Sequence, residues 1–283
     1  MLSVLKRELN QVHGSIPRRF DRHVVYCRND SESSRELDNN LAKMEREHGT
    51  LPDQTDVMRD KKRSPVVFEW KVPTRRAWKD FNCTIFSFYD TAGEDLSHGV
   101  DRAMSIGYLR ATKGLILLLD PFSFPANRGR RGDVAPSGMG TDAPESVVGA
   151  VIDVLRANEG TKRGKKIVQP IAVVISKIDA FLPSLSQSNP LCAASPNVPY
   201  FDDAESKNVH DHVASLVHEW GGSGLIDLLD LNCKNYRLFA ISSLGAEPDY
   251  VTTEVDSHGI APHRIGEPLL WLLAERGVLK RGG

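Results

Sequence analysis

The chain alternates short apolar runs with long polar stretches, and the runs are of two kinds. Pro65 to Val72 and Phe81 to Tyr89 are β-type runs joined by the segment Pro73 to Asp80, which predicts an antiparallel pair. Gly114 to Asp120 and Ile171 to Ile175 are continuous apolar runs, the pattern of strands buried on both faces of a parallel sheet, and Tyr236 to Ile241 is a further strand. Helical spacing marks Met1 to Asn10, where Leu2, Val4, Leu5 and Leu9 form a stripe between Lys6, Arg7 and Glu8. It also marks Ser33 to His48, with Ser33 and Glu36 at capping-box spacing, and then Asp101 to Arg110, Pro144 to Ala157, Val209 to Trp220 and Glu267 to Arg276. Gly14 to Arg63 is otherwise polar, with one apolar island at Val24-Val25-Tyr26.

Strands that alternate with helices, with polar motifs recurring at strand C-terminal ends, predict a doubly wound α/β sheet with helices on both faces and a ligand along that edge. The 283 residues with 40% hydrophobic content are enough for one elaborated domain over 1–283. Its strand-and-helix core starts at residue 65, and a Ser/Pro-rich insertion lies near 180–209. Lys+Arg 36 against Asp+Glu 37 gives no global pull toward nucleic acid or an acidic membrane. The basic cluster Arg128, Arg130 and Arg131 reads as a solvated loop. Four scattered cysteines without a CxxC pair indicate neither a zinc site nor a disulfide framework, and Cys83 reads as core. Trp220 and Trp271 read as core as well. No run approaches the length of a membrane span and Met1 to Asn10 lacks a signal-peptide core, so a cytoplasmic protein is expected.

The candidate chemistry sits at strand ends. Asp90-Thr91-Ala92-Gly93-Glu94 follows the Phe81 to Tyr89 run, so a carboxylate at Asp90 could hold Mg²⁺ while Gly93 lets a backbone N–H approach a terminal phosphate. In Ser176-Lys177-Ile178-Asp179, a carboxylate at Asp179 could accept two hydrogen bonds from guanine, which adenine does not offer. Lys177 would lay its stem across the base, and Ser176 would tie loops together. Ser242 and Ser243 follow the last strand closely enough to offer backbone N–H groups to the guanine O6. Asp120, at the end of another run, reads as the cap of the following turn. His210 and His212 lie on different sides of a helix, which argues against a shared metal.

This ordered set, DxxG then SKxD then a Ser-rich turn, resembles the GTP-binding domain of translation-factor-like and Ras-like P-loop GTPases. With Gly114 to Pro121 and Pro262-His263-Arg264 through Leu273, the chain resembles the bacterial double-GTPase family more closely. The resemblance implies GTP/GDP and Mg²⁺ as cofactors, slow GTP hydrolysis and a protein effector or regulator. It implies a switch-like segment within 1–64 whose Thr55 closes over the metal and γ-phosphate, and a water-polarising role for Glu94. The chain departs from that pattern at one place: no GxxxxGK[ST] loop occurs, and Gly160-Thr161-Lys162-Arg163-Gly164-Lys165-Lys166 has the wrong spacing. Within the resemblance, then, the sheet lacks its first central strand and phosphate-binding loop, as from an N-terminal truncation, with Met1 to Val12 as the first helix. The alternative is a degenerate domain that serves as a nucleotide-free protein interaction module.

Overall fold

A computed structural model describes the chain except for residues 11–13, 21, 29–30, 47, 53–64, 75–79, 90–110, 132–141, 160–163, 250–251 and 283. The amphipathic N-terminal stripe forms α1 (Leu2–Leu9), which buries Val4, Leu5 and Leu9, and a single turn, α2 (Ile16–Arg19), follows it. The apolar island becomes β1 (Val24–Cys27). Helix α3 (Glu32–Met44) is capped by Ser31, whose hydroxyl accepts the Ser34 N–H. The cap therefore stands two residues before the expected Ser33, because Ser31 has the extended backbone an N-cap needs.

The antiparallel pair expected around residue 80 is present as β2 (Val66–Pro73) and β3 (Phe81–Phe88), and β1 joins the far side of β2. Register is continuous, with Tyr26 opposite Glu69 and Glu69 opposite Ile85. On the inner face Phe68, Trp70, Phe86 and Phe88 form an aromatic cluster, with Phe68 and Phe86 stacked at 5.6 Å. The Trp70 indole N–H donates to His23 Nδ1 at 3.0 Å, which satisfies the polar tip of a buried ring.

The continuous apolar runs form a separate parallel sheet in the order β4 (Leu115–Leu119), β5 (Ile171–Ile175), β7 (Tyr236–Ala240). Every residue of β5 is buried. Ile171, Val173 and Ile175 face a cluster made with α4 (Pro144–Glu159), α5 (Asp203–Glu219) and α6 (Ser223–Asn232). Ala172 and Val174 face the other way, toward α7 (Glu267–Glu275) with its fully buried Trp271. That second cluster runs on through α1 and α3 to the inner face of the antiparallel sheet, so one apolar core joins the two sheets. A third, two-stranded parallel pair, β6 (Phe201–Asp202) with β8 (Arg281–Gly282), ties the C-terminal segment to the start of α5.

Among the described residues the architecture is therefore mixed α/β, with three small sheets, two of them parallel, and helices on both faces of the larger parallel one. The expected single doubly wound sheet is divided: β3 is one edge of the antiparallel sheet and β4 one edge of the parallel sheet. Helix α5 starts six residues before the expected Val209, where the Asp202 carboxylate accepts the Glu205 N–H at 2.9 Å. Helix α6 was not foreseen; it begins after Gly221-Gly222 with no side-chain cap. The 180–209 insertion is held by short 3-10 turns, in which Asn189 caps the last by accepting the Leu191 N–H. No helix among the described residues is long and apolar enough to cross a membrane.

Candidate functional site

Two regions hold polar or reactive side chains in defined geometry, and the first is the C-terminal edge of the parallel sheet. Strands β5 and β7 are neighbours, so Ser176 to Asp179 and Ser242-Ser243 come together there, as the sequence predicts. Asp90, Gly93, Glu94 and Thr55 lie outside the described residues, as does Asp101 to Arg110.

The groups at this edge are engaged with one another. Ser176 donates through both its N–H and its hydroxyl to the Leu119 carbonyl at 3.0 Å, tying β5 to β4. Lys177 has the left-handed backbone that a non-glycine residue seldom adopts, with φ of 53°, and its ammonium meets Asp120 at 3.0 Å. Asp120 caps the following turn through its other oxygen, which accepts the Phe122 N–H, as its position predicts. The buried Ser242 hydroxyl accepts the N–H groups of Leu244 and Gly245 at 3.2 and 2.7 Å, so those donors close their own turn. Gly245 is required there: its φ is +87°, and a Cβ would stand 2.1 Å from the Ala261 carbonyl oxygen. Asp179 is half-buried, and its charge acts on His263.

Next to this edge is a cleft of about 420 Å³, bounded by α2, the loop at Ser195 to Asn197 and the segment His263 to Glu267. Its charges are paired inside the fold. Arg19 meets Glu267 at 3.0 Å, and Arg264 pairs with Glu205 while also donating to the Ala193 carbonyl. Burial raises the Glu205 carboxyl above its ordinary value against the pull of Arg264, and burial lowers the His263 imidazole, whose Nε2 lies 2.7 Å from the Leu191 carbonyl. These groups latch the 190–197 loop, α5 and α7 together. His210, by contrast, is spent on β7, where its Nδ1 accepts the Leu238 N–H, and His212 meets the Asn208 carbonyl. Among the described residues no group of three or more His, Cys, Asp or Glu side chains could hold a metal ion.

The second region, which the sequence reading missed, is the outer face of the antiparallel sheet. Cross-strand partners share a face, so Tyr26, Glu69 and Ile85 stand in one row and Lys71 and Cys83 in the next. Glu69 is nearly buried by its neighbours and is met by four donors. Tyr26 donates at 2.5 Å and Cys83 at 3.2 Å, while Lys71 and Arg28 approach to 3.3 and 3.4 Å. The hydrogen bond from Tyr26, then that from Cys83, holds the Glu69 carboxyl down at about 2. The same carboxylate raises the Cys83 thiol and the Lys71 ammonium above their ordinary values.

Around this ion cluster lie exposed apolar side chains: Tyr26 is 40% exposed, Phe81 38%, Ile85 55% and Tyr89 43%. Tyr26, Phe81 and Ile85 are on the outer face, since Tyr26 and Ile85 both stand opposite Glu69 and residues 81 and 85 share one alternation of β3, while Tyr89 directly follows the strand. Cys83 is exposed on the same row, not in the core as expected, because odd positions of β3 point away from the aromatic cluster. The signal was present in the sequence. An antiparallel strand with one solvated face ought to alternate apolar with polar, and β3 is apolar on both parities: Phe86 and Phe88 inward, Phe81 and Ile85 outward.

Comparison with known proteins adds one relative. The chain is similar to the "Putative ESX-1 scaffolding and assembly protein SaeC" of Mycolicibacterium smegmatis, with 24% identity over 208 residues, 67% of this chain and 51% of the relative. It thus spans about half the length of that curated relative. No family model matches the chain, and no solved structure matches it. These findings correct the resemblance drawn from the strand-end motifs: membership of the double-GTPase or P-loop GTPase families, with the truncation inferred from it, is overturned. SKxD and a Ser-rich turn are short patterns, and here Ser176 bonds to the Leu119 carbonyl, Lys177 to Asp120 and Ser242 to the N–H groups of its own turn.

Proposed function

We propose that this chain is a protein interaction module whose working surface is the outer face of the antiparallel sheet. The observation that carries this reading is the row of exposed apolar side chains, Phe81, Ile85 and Tyr89 with Tyr26, set around a carboxylate whose donors are already in place. Single exposed apolar residues are ordinary, but a contiguous group rimmed by polar side chains marks a contact surface. The Glu69 cluster suits such a surface because its carboxylate already has its donors, so covering the face does not bury an unpaired charge.

Two further observations support it. The relative is named a scaffolding and assembly protein, and assembly is the work of contact surfaces. At the strand-end edge, Lys177 is held by Asp120 and the Ser242 turn consumes its own N–H donors, so these groups serve the fold.

Cys83 is the natural reporter, since it is the exposed thiol of β3. Maleimide labelling of dilute purified protein should modify Cys83, and addition of extract from the source cells should slow that labelling while leaving Cys192 unaffected. Labelled GTP and ATP with Mg²⁺ should show no saturable binding. Cys83 labelling that is slowed neither by extract nor by raising the protein's own concentration, or tight nucleotide binding, would overturn the reading.

A further inference from the structure

The edge of β3 makes the contact more specific. Within a strand, the N–H and C=O of each residue point to the same side, and successive residues alternate. Arg28 donates its N–H to the Val67 carbonyl, so odd residues of β2 bond toward β1 and even residues toward β3. The bond from the Thr74 N–H to the Asp80 carbonyl continues the same phase. In β3, therefore, Asn82, Thr84, Phe86 and Phe88 carry the ladder to β2, while Cys83, Ile85 and Ser87 point their backbone groups to the open edge. Among the described residues no strand pairs there.

Strand β3 itself carries none of the usual sequence guards. Natural edge strands are short, bulged, or carry Lys or Pro, and β3 runs eight residues without a charge or a proline. The sequence is also symmetric about Ile85: Cys83 and Ser87 flank it within β3, with Phe81 at one end of the strand and Tyr89 just beyond the other.

We propose that β3 pairs with β3 of a second copy of this chain, antiparallel, about a two-fold axis at Ile85. The inference rests on the reading of this face as a contact surface and names its occupant. In that register Ile85 meets its own copy, Cys83 meets Ser87, and Phe81 meets Tyr89, so each aromatic covers an aromatic. The electrostatics suit a like partner. Strand β3 itself brings no charge to the seam, and the Glu69 of each copy, one strand back from Ile85, is paired with Lys71 and Arg28, which leaves each cluster a single net positive charge. The two Glu69 side chains stand about 14 Å apart, three strand spacings, which further limits repulsion. Pairing of a single strand covers less area than a standard interface of roughly 1,600 Å², so the association is weak and concentration-dependent.

Three variants of the full chain test this by sedimentation velocity over a concentration series. Wild type should shift toward a dimer as concentration rises. Ile85→Lys should remain monomeric, since like charges would meet at the axis. Ser87→Pro, which removes one edge-facing N–H without touching the ladder to β2, should remain monomeric, while Ser87→Ala behaves as wild type. The register is tested by Ile85→Cys under diamide: the paired Cα atoms would lie about 5.5 Å apart, within disulfide reach, so a covalent dimer should form. Wild type should not cross-link through Cys83, because the two thiols would sit about four residues, or 14 Å, apart along the seam. If Ser87→Pro fails to fold by circular dichroism, Ile85→Lys and the Ile85→Cys cross-link decide. A wild-type monomer at every concentration, or a dimer untouched by Ile85→Lys, overturns the proposal. Cys83 protection in extract by a monomeric protein would overturn self-pairing alone, whereas no protection and no dimer would overturn the contact surface as well.

Discussion

The two larger sheets share an apolar core yet differ in how many of their faces it covers. In the parallel sheet, β5 is buried on both sides, by α4, α5 and α6 on one and α7 on the other. In the antiparallel sheet only the inner face is covered, and the outer face presents Tyr26, Ile85, Phe81 and Tyr89 to solvent. The difference separates scaffold from surface. Polar groups near the covered sheet are consumed as latches, such as Lys177 with Asp120 and Arg264 with Glu205, whereas the uncovered sheet keeps apolar area in reserve around a satisfied carboxylate.

If that division is right, substitutions of similar size should behave differently in the two sheets. Phe239→Ala in β7, which empties a fully enclosed site beside Trp271, should cost about 3–5 kcal/mol in chemical denaturation. Ile85→Ala in β3 should cost under roughly 0.5 kcal/mol and act on association instead. Equal losses would remove the distinction.

Arg264→Ala tests whether the cleft is a latch. Its side chain is almost fully enclosed and pairs with a Glu205 carboxyl already raised by burial, so removing it strands that acid and should cost about 3 kcal/mol or more. A loss of a few tenths would mean that the charged cleft is not holding the 190–197 loop to α5.

A smaller effect should appear in the pH dependence of the outer face. The Glu69 carboxyl titrates at about 2 in the fold against an ordinary 4.5, so its contribution is complete above about pH 4.5 and is lost as pH falls toward 2. Glu69→Gln should therefore lower the melting temperature at pH 7, with the gap to wild type closing below pH 4.5. The same variant frees the Cys83 thiol of the carboxylate that raises it, so alkylation at pH 8 should accelerate. A gap that persists at pH 2, or an unchanged alkylation rate, would remove Glu69 from the centre of the cluster.

Periodicity alone carried much of this architecture. The continuous runs at Leu115–Leu119 and Ile171–Ile175 are both strands of the parallel sheet, although only the second is covered on both faces, since Leu118 is exposed, and the α1 stripe and Asp120 cap followed from spacing. What it did not carry was pairing. The Phe81 to Tyr89 run does not say which neighbour it meets, so the two sheets were read as one, and Cys83 on the exposed row of β3 was read as core. The strand-end motifs misled for a related reason. A short motif gives a residue's type and not its partners, and in the fold Ser176, Lys177 and Ser242 meet the Leu119 carbonyl, Asp120 and the Leu244 N–H. The contact face was missed because its central charge, Glu69, comes from one strand and its donors from three segments of chain.

The central claim, that one sheet is frame and the other is surface, is tested most directly by a photo-cross-linking residue placed in turn at position 85 on β3 and at position 118 on β4. Both native residues are exposed and apolar, Ile85 at 55% and Leu118 at 45%, so they differ chiefly in the sheet that carries them. The account predicts discrete protein adducts from position 85, whether to a second copy or to another polypeptide, and none from position 118. Adducts from 118 alone, or from neither position, would contradict it.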